Sequence, residues 1–343
     1  RHSGLVQVAP ETAKAHGKST TLKIGAGATA LQGVTCTVAM LALLGALPAT
    51  AEEITWVGGF GGNWSGPSNW NLGRLPTGAD NAIVDGPLIY GTSGAEANTL
   101  YLGNLANSQL IIQGSNTLST TNAYLGYNTG IEGVAAVFGA SASWTNSGSF
   151  AIGHNGTGTL LVQGGGTLNV AAGTGTVVLA SGSGSGTLNI GNNDTAGILN
   201  AATVTGGIGT ATLNFNHTDG DYYFTKDGTS GGASIVITGS TAVSHIGSGK
   251  TTLTGNNTYT GGTTVSAGTL ALDGGTALAD TGTVTVHGGT LEVRAAETIG
   301  SLAGTGGIVD LLAGLTVGDA NSTAYSGVIQ GAGTLTKQGA GTL

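Results

Sequence analysis

The stretch GSGKTTLTGNNTYTGGTTVSAGTLAL, Gly247 to Leu272, decides between two kinds of protein. Gly249, Lys250 and Thr251 supply the second half of a phosphate-binding loop, G-x-x-x-x-G-K-[ST]. The first glycine of that pattern would stand at position 244, which is Ser244. Such a loop also needs a helix behind it, because the helix N-terminus and the loop amides hold the phosphate together. The residues after Lys250 are mainly Thr, Asn and Gly, which form helices poorly. The stretch therefore reads as turns and short strands, not as a nucleotide site.

The rest of the chain is composed in the same way. It has 66 glycines in 343 residues without a collagen-like period of three, and only 8% of its residues are charged. Thr, Val, Ile and Leu cluster in short alternating runs, which predicts many short strands separated by tight turns. Disorder is the rival for a Gly/Ser/Thr-rich chain. A solvated tail needs no periodic apolar face, so the alternation argues against it.

The alternation also repeats. LYLGN begins at Leu100, AYLGYN at Ala123, FAIGHN at Phe150 and VVLASG at Val177. Aligned on Gly103, Gly126, Gly153 and Ala180, the offsets are 23, 27 and 27 residues. The later units continue with a second strand phrase, GVAAVFG, GTLLVQG and GTLNIG, and ATLNFN begins at Ala211. A period in the twenties with two or three strands per unit predicts coils of a parallel β-helix. Leu160, Val162, Leu188, Ile190, Leu213 and Phe215 would face its interior, and Thr159, Thr187, Asn189 and Asn214 the other side. No proline occurs after Pro87, as expected where nearly every strand is central in a sheet. Dividing roughly 290 residues by a period of about 25 gives on the order of twelve coils.

The opening stretch carries a family resemblance. Leu253, Gly255, Asn257, Tyr259, Gly261, Thr263, Val265, Gly268 and Leu270 form the phrase L-x-G-x-N-x-Y-x-G-x-T-x-V-x-x-G-x-L. It closely resembles the passenger-associated strand repeat of autotransporters. AYSGVIQGAGTLTKQGAGTL, Ala324 to Leu343, looks like the start of a second copy. The resemblance implies an all-β fold, a right-handed parallel β-helix (β-solenoid) after an N-terminal signal segment. It also implies that GSGKTT is a turn leading into a strand, with Lys250 on the solvent face.

Residues 1–51 read as that signal segment. Lys14, Lys18 and Lys23 precede the apolar run Val34 to Leu47, and Ala49 and Ala51 occupy the small-residue positions of an A-x-A site before Glu52. The apolar run is shorter than the roughly 20 residues of a membrane span. Residues 1–19 resemble the later part of the extended signal-peptide region of bacterial type V secretion proteins, through Val8-Ala9-Pro10-Glu11, Ala13-Lys14 and Gly17-Lys18-Ser19. The initiator Met and the aromatic-rich opening of that region are absent, so the chain is expected to be either an N-terminal fragment or a sequence whose start was assigned too late. The resemblance implies a Gram-negative source and export through the Sec machinery. Cleavage after Ala51 would remove Cys36 and Met40, the only Cys and Met, and leave 5 basic against 16 acidic residues, a net charge of −11. Such a chain has no disulfide or thiolate metal site, and its acidity disfavours nucleic acid.

Trp56, Trp64 and Trp70 crowd the start of the remaining chain, in a W-x-G-G…N-W-S…N-W spacing similar to the N-terminal module of many secreted β-solenoid proteins. They would either close the end of a solenoid or offer a platform on which sugars stack; Gly and Asn between them favour the cap. The expected organisation is the partial signal peptide over 1–51, the Trp-rich cap and first coils over 52–96, repeat coils over 97–245, and autotransporter-associated repeats over 246–343.

Chemistry is hard to place on this scaffold. His217, Asp219, Asp221 and Asp227 lie in NHTDGDYYFTKDG, where Asp219 and Asp221 could share a calcium ion. They lack the regular further ligands of known calcium loops, and the segment reads as a polar turn between rungs. His154, His245 and His287 are scattered, and no G-x-S-x-G motif occurs. The expectation is a protein without catalytic residues, cofactor or metal. It is expected to be a secreted or surface-displayed passenger serving as a rod or stalk in adhesion, with a C-terminal translocator β-barrel, its assembly machinery and a host or cell-surface ligand as partners. The alternative is a polysaccharide-acting enzyme on a β-helix.

Overall fold

Leu160, Leu188 and Leu213 stand directly above one another, as do Val162, Ile190 and Phe215. All six are fully buried. Their strands, Thr157–Gln163, Ser185–Asp194 and Thr210–His217, pair in parallel. The intervening Thr159, Thr187, Asn189 and Asn214 are half-buried on the opposite face. The computed structural model describes residues 51–86 and 89–343; parallel stacking recurs along them, and the last strands, Val328–Gly331 and Leu335–Gln338, are exposed at every position. The signal segment read in residues 1–51, with Ala49, lies outside the described residues except for Ala51, which is exposed beside Glu52.

Among the described residues, one sheet of eleven strands climbs from Gly62–Asn63 to Ser301–Ala303, each strand one coil beyond the last. A second sheet runs from Glu53–Thr55 to Val236–Gly239, a third from Tyr222–Tyr223 to Val328–Gly331, and a fourth from Glu297–Ile299 to Leu335–Gln338. Every strand pairing is parallel, across neighbouring coils. This is a parallel β-helix. At about 4.8 Å per step, the longest ladder measures about 48 Å.

Corners are set by local backbone geometry. Leu102, Leu125, Ile152 and Leu179 are in register, so the residues immediately after them occupy one corner. Gly103, Gly126 and Gly153 there have φ of 72°, 60° and 75°. A Cβ at Gly126 would lie 2.3 Å from the Thr157 carbonyl oxygen of the next coil. Ala180 takes the corresponding place with φ of 52°; in the following coil Gly209 lies against its methyl group and Gly207 against its carbonyl.

The coil length changes along the rod. Ala135, Leu160, Leu188 and Leu213 are register partners, so the central coils take 25 to 28 residues. Thr251, Leu270, Leu291 and Val309 are also partners, and there a coil takes only 18 to 21. A single period of about 25 therefore does not describe the whole rod. Central strands such as Thr157–Gln163 have 7 residues, whereas Thr263–Val265 and Thr269–Leu272 have 3 and 4. The corners shorten too: Gly300 alone joins Glu297–Ile299 to Ser301–Ala303.

Candidate functional site

Trp56, Trp64 and Trp70 form one buried cluster. Trp70 meets Trp56 edge-on at 5.2 Å between ring centroids and Trp64 at 4.7 Å. The Trp70 Nε1–H donates to the Trp64 carbonyl at 2.9 Å. Gly58, Gly62 and Gly86 press against Trp56, leaving less than 3 Å between a hypothetical Cβ and its ring. All three indoles are at most 4% exposed, so none presents a face on which a sugar could stack. Beside them the Arg74 guanidinium forks onto both Asp80 oxygens at 2.8 and 2.9 Å and reaches Glu52 at 2.6 Å. That pair, with the Thr77 bonds, holds the Asp80 carboxyl well below the usual range.

In the repeat phrase, Leu253, Tyr259, Val265 and Leu270 are buried in the core. Asn257 stitches three coils: its Oδ1 accepts the Ile237 N–H at 2.7 Å and its Nδ2 donates to the Ala277 carbonyl at 2.8 Å. The Tyr259 hydroxyl lies 2.6 Å from Thr263 Oγ1. Backbone of the preceding coil lies close against Gly255, Gly261 and Gly268; a Cβ at Gly268, whose φ is +58°, would be 2.3 Å from the Gly249 carbonyl. Lys250 pairs with Glu292 at 3.0 Å, its side chain 24% exposed.

The segment read as a polar turn is one only in part. His217 is fully buried at the end of Thr210–His217, and Tyr222 and Phe224 are buried as well. The third sheet begins at Tyr222–Tyr223, and that new layer covers the histidine. The His217 Nδ1 accepts the Asp219 N–H at 3.2 Å, so its Nε2 carries the proton toward Thr251 Oγ1 at 2.7 Å. The His217 ring meets His245 at 6.0 Å. Burial pulls the His217 imidazole down to about 4, with His245 adding to that effect and Asp219 opposing it. Asp219 accepts the Ala196 N–H at 2.6 Å, while Asp227 accepts from Thr225 and Thr229, so the two carboxylates serve separate networks.

Register brings together a cluster that sequence reading missed. Tyr101, Tyr124, Ala151 and Val178 are successive partners on the outer face of the second sheet. Asn104, Tyr127, His154 and Ser181 each come directly after the corner residue of the same four coils. The Tyr101 and Tyr124 rings stack at 5.7 Å and 12°, and Tyr127 and His154 at 5.1 Å and 18°. His154 also meets Tyr124 edge-on at 5.5 Å, and its Nδ1 lies 2.8 Å from Ser181 Oγ. Where the first column drops from Tyr124 to Ala151, a cleft of about 530 Å³ opens, bordered by Asn122, Ser149, Thr176, His154 and Ser181. Its lining contains no Asp, Glu, Lys or Arg.

The passenger-associated-transport-repeat family matches residues 246–272. The chain is 42% identical over 97 residues to the adhesin BmaC autotransporter of Brucella suis biovar 1 (strain 1330). That alignment covers 28% of this chain and 2% of the relative, so the chain corresponds to a small part of that protein's length. No solved structure matches the chain significantly. The matched repeat is seated in the short coils of a parallel β-helix, and over the matched stretches the chain is similar to autotransporter passenger sequence.

Proposed function

We propose that residues 52–343 form a non-catalytic rod in a surface-displayed autotransporter passenger of a Gram-negative bacterium, and that the rod serves adhesion. The observation that carries this reading is the passenger repeat at 246–272 within a continuous parallel β-helix. The similarity to an autotransporter adhesin supports the adhesive role. In this reading residues 1–51 direct export through the Sec machinery with cleavage between Ala51 and Glu52. Trp56, Trp64 and Trp70 close the first coils over 52–96, and the coils of 97–245 and 246–343 form the shaft. A C-terminal translocator β-barrel and its assembly machinery carry the passenger across the outer membrane. Each coil pairs only with its neighbours, so folding can propagate from one coil to the next as the chain emerges. The outer cleft beside Tyr124 has no carboxylate in its lining, so it has no acid–base pair for hydrolysing glycosidic bonds.

Antibodies raised against the 343-residue chain test the proposal on the native bacterium. Labelling of intact cells, loss of that labelling after external protease, and weaker attachment to host cells when the segment is deleted are expected. Labelling that requires permeabilised cells would overturn it.

A further inference from the structure

We propose that the slot over Ala151 is a binding site for a neutral pyranose sugar, which would make the rod itself a glycan-binding surface. This rests on the surface-display reading above and names the chemistry of the ligand.

Side chains in register along a parallel β-helix repeat about every 4.8 Å. Tyr101 and Tyr124 use that repeat to stack ring on ring. The next partner, Ala151, has only a methyl group, so no third ring continues that column and Tyr124 borders the cleft, with His154 edge-on beside it. In the neighbouring column the aromatic stack runs one coil further, through Tyr127 to His154. The slot is thus closed by Tyr124 along the rod, by His154 at the side and by Ala151 as its floor, which is 5% exposed.

A ring placed there would continue the tyrosine stack. The rim decides which kind of ring. Asn122, Ser149 and Thr176 line one side, and His154 and Ser181 the other, so amide, hydroxyl and imidazole groups face each other across the slot. Among the described residues, no hydrogen bond engages the Ser149 and Thr176 hydroxyls, and both residues are exposed. A pyranose has an apolar C–H face for Tyr124 and a belt of hydroxyls that reaches both rims. An aromatic peptide side chain would fill the same space but would leave both rims unused. A uronic acid would bring a carboxylate to a site with no Lys or Arg in its lining.

Saturation-transfer NMR on the 343-residue chain tests this with methyl β-galactopyranoside, methyl β-glucopyranoside, galacturonate and N-acetyltryptophanamide as probes. At least one neutral pyranoside should bind, with the largest transfer to its C–H face. Tyr124→Ala should weaken that binding about tenfold, whereas Tyr124→Phe should keep it. Ala151→Tyr should abolish it by extending the protein's own stack into the slot, and this variant decides the matter if Tyr124→Ala fails to fold. Absence of binding by both pyranosides overturns the proposal. So does retention of binding in both Tyr124→Ala and Ala151→Tyr, or binding of the tryptophan amide in preference to both sugars. None of these results depends on surface labelling of cells, so the glycan site and the passenger reading can fail separately.

Discussion

The Glu297 carboxylate accepts the backbone N–H of Ala277 through Oε2 at 3.0 Å, across twenty residues and one coil. The carbonyl of the same Ala277 accepts from Asn257 in the preceding coil at 2.8 Å. An amide side chain can both give and accept a hydrogen bond, so Asn257 satisfies the coils on both sides of it. An ionised carboxylate can only accept, and the second oxygen of Glu297 is buried without a partner among the described residues. Burial pushes the Glu297 carboxyl up to about 7, despite N–H groups from Ala277, Leu278 and Thr298 that favour its charged form.

The sign of the resulting pH dependence is set by this shift. Glu297 rises from 4.5 in the unfolded chain to about 7 in the fold. Its contribution to stability is complete below pH 4.5 and is lost as pH rises to about 7, amounting to about 3 kcal/mol. The protection factor of the Ala277 amide, corrected for the intrinsic pH dependence of exchange, should therefore fall across that range. Glu297→Gln should abolish that fall, since glutamine stays neutral and can donate as Asn257 does. An unchanged pH profile in that variant would refute the assignment.

His217 works in the opposite direction. Its imidazole falls from 6.5 to about 4 on folding, so its contribution is complete above pH 6.5 and is lost as pH falls toward 4. The size is again about 3 kcal/mol. The slopes of His217 and Glu297 oppose each other between pH 4.5 and 6.5, so a global melt should respond weakly there. Local probes should separate them: acid loosens the Thr251 strand and alkali loosens Ala277. His217→Gln should remove the acid response and leave the response at Ala277 in place.

Much of this fold could be read from alternation alone. Leu160, Val162, Leu188, Ile190, Leu213 and Phe215 announce an apolar face because strand side chains alternate with a period of two, whatever the sheet. Gly103, Gly126 and Gly153 mark their shared corner because few other residues adopt its positive φ. His217 could not be read this way. Its neighbours are those of a turn, and its burial depends on a sheet that first forms at Tyr222, beyond it in the chain. The tyrosine cleft was hidden for a related reason. Tyr101, Tyr124 and His154 belong to three coils, and only the register brings them side by side.

The shared corner offers a test of backbone strain. Gly153→Ala would force a methyl group to within 2.1 Å of the Ser185 carbonyl oxygen at a φ of 75°. Positive φ and overpacking together should cost about 2 kcal/mol or more. Ala180 already occupies the equivalent place one coil on, with Gly209 of the following coil against its methyl group. Ala180→Gly should change stability by less than about 1 kcal/mol, because relief of the positive φ is offset by the greater entropy of glycine in the unfolded chain. Denaturant titrations of both variants check the contrast; equal effects would mean that contact with the next coil does not govern this corner.

Export can be tested through another pair of neighbours. Thr159 and Thr187 are register partners in adjacent strands, and both lie half-buried on the outward face. Their Cα atoms should be about 4.8 Å apart, which suits a disulfide. The described residues contain no cysteine, so in the double variant Thr159→Cys/Thr187→Cys the new bridge would have no native competitor among them. If the passenger crosses the outer membrane unfolded, a bridge formed in the periplasm closes a loop that must pass the translocator as a double strand. Surface labelling should then fall in the double variant, recover with reductant, and stay normal in either single variant. Intermediates trapped in the periplasm should be oxidised at this pair. Full display of chains whose bridge had formed before passage would show that the rod does not need to be unfolded to leave the cell.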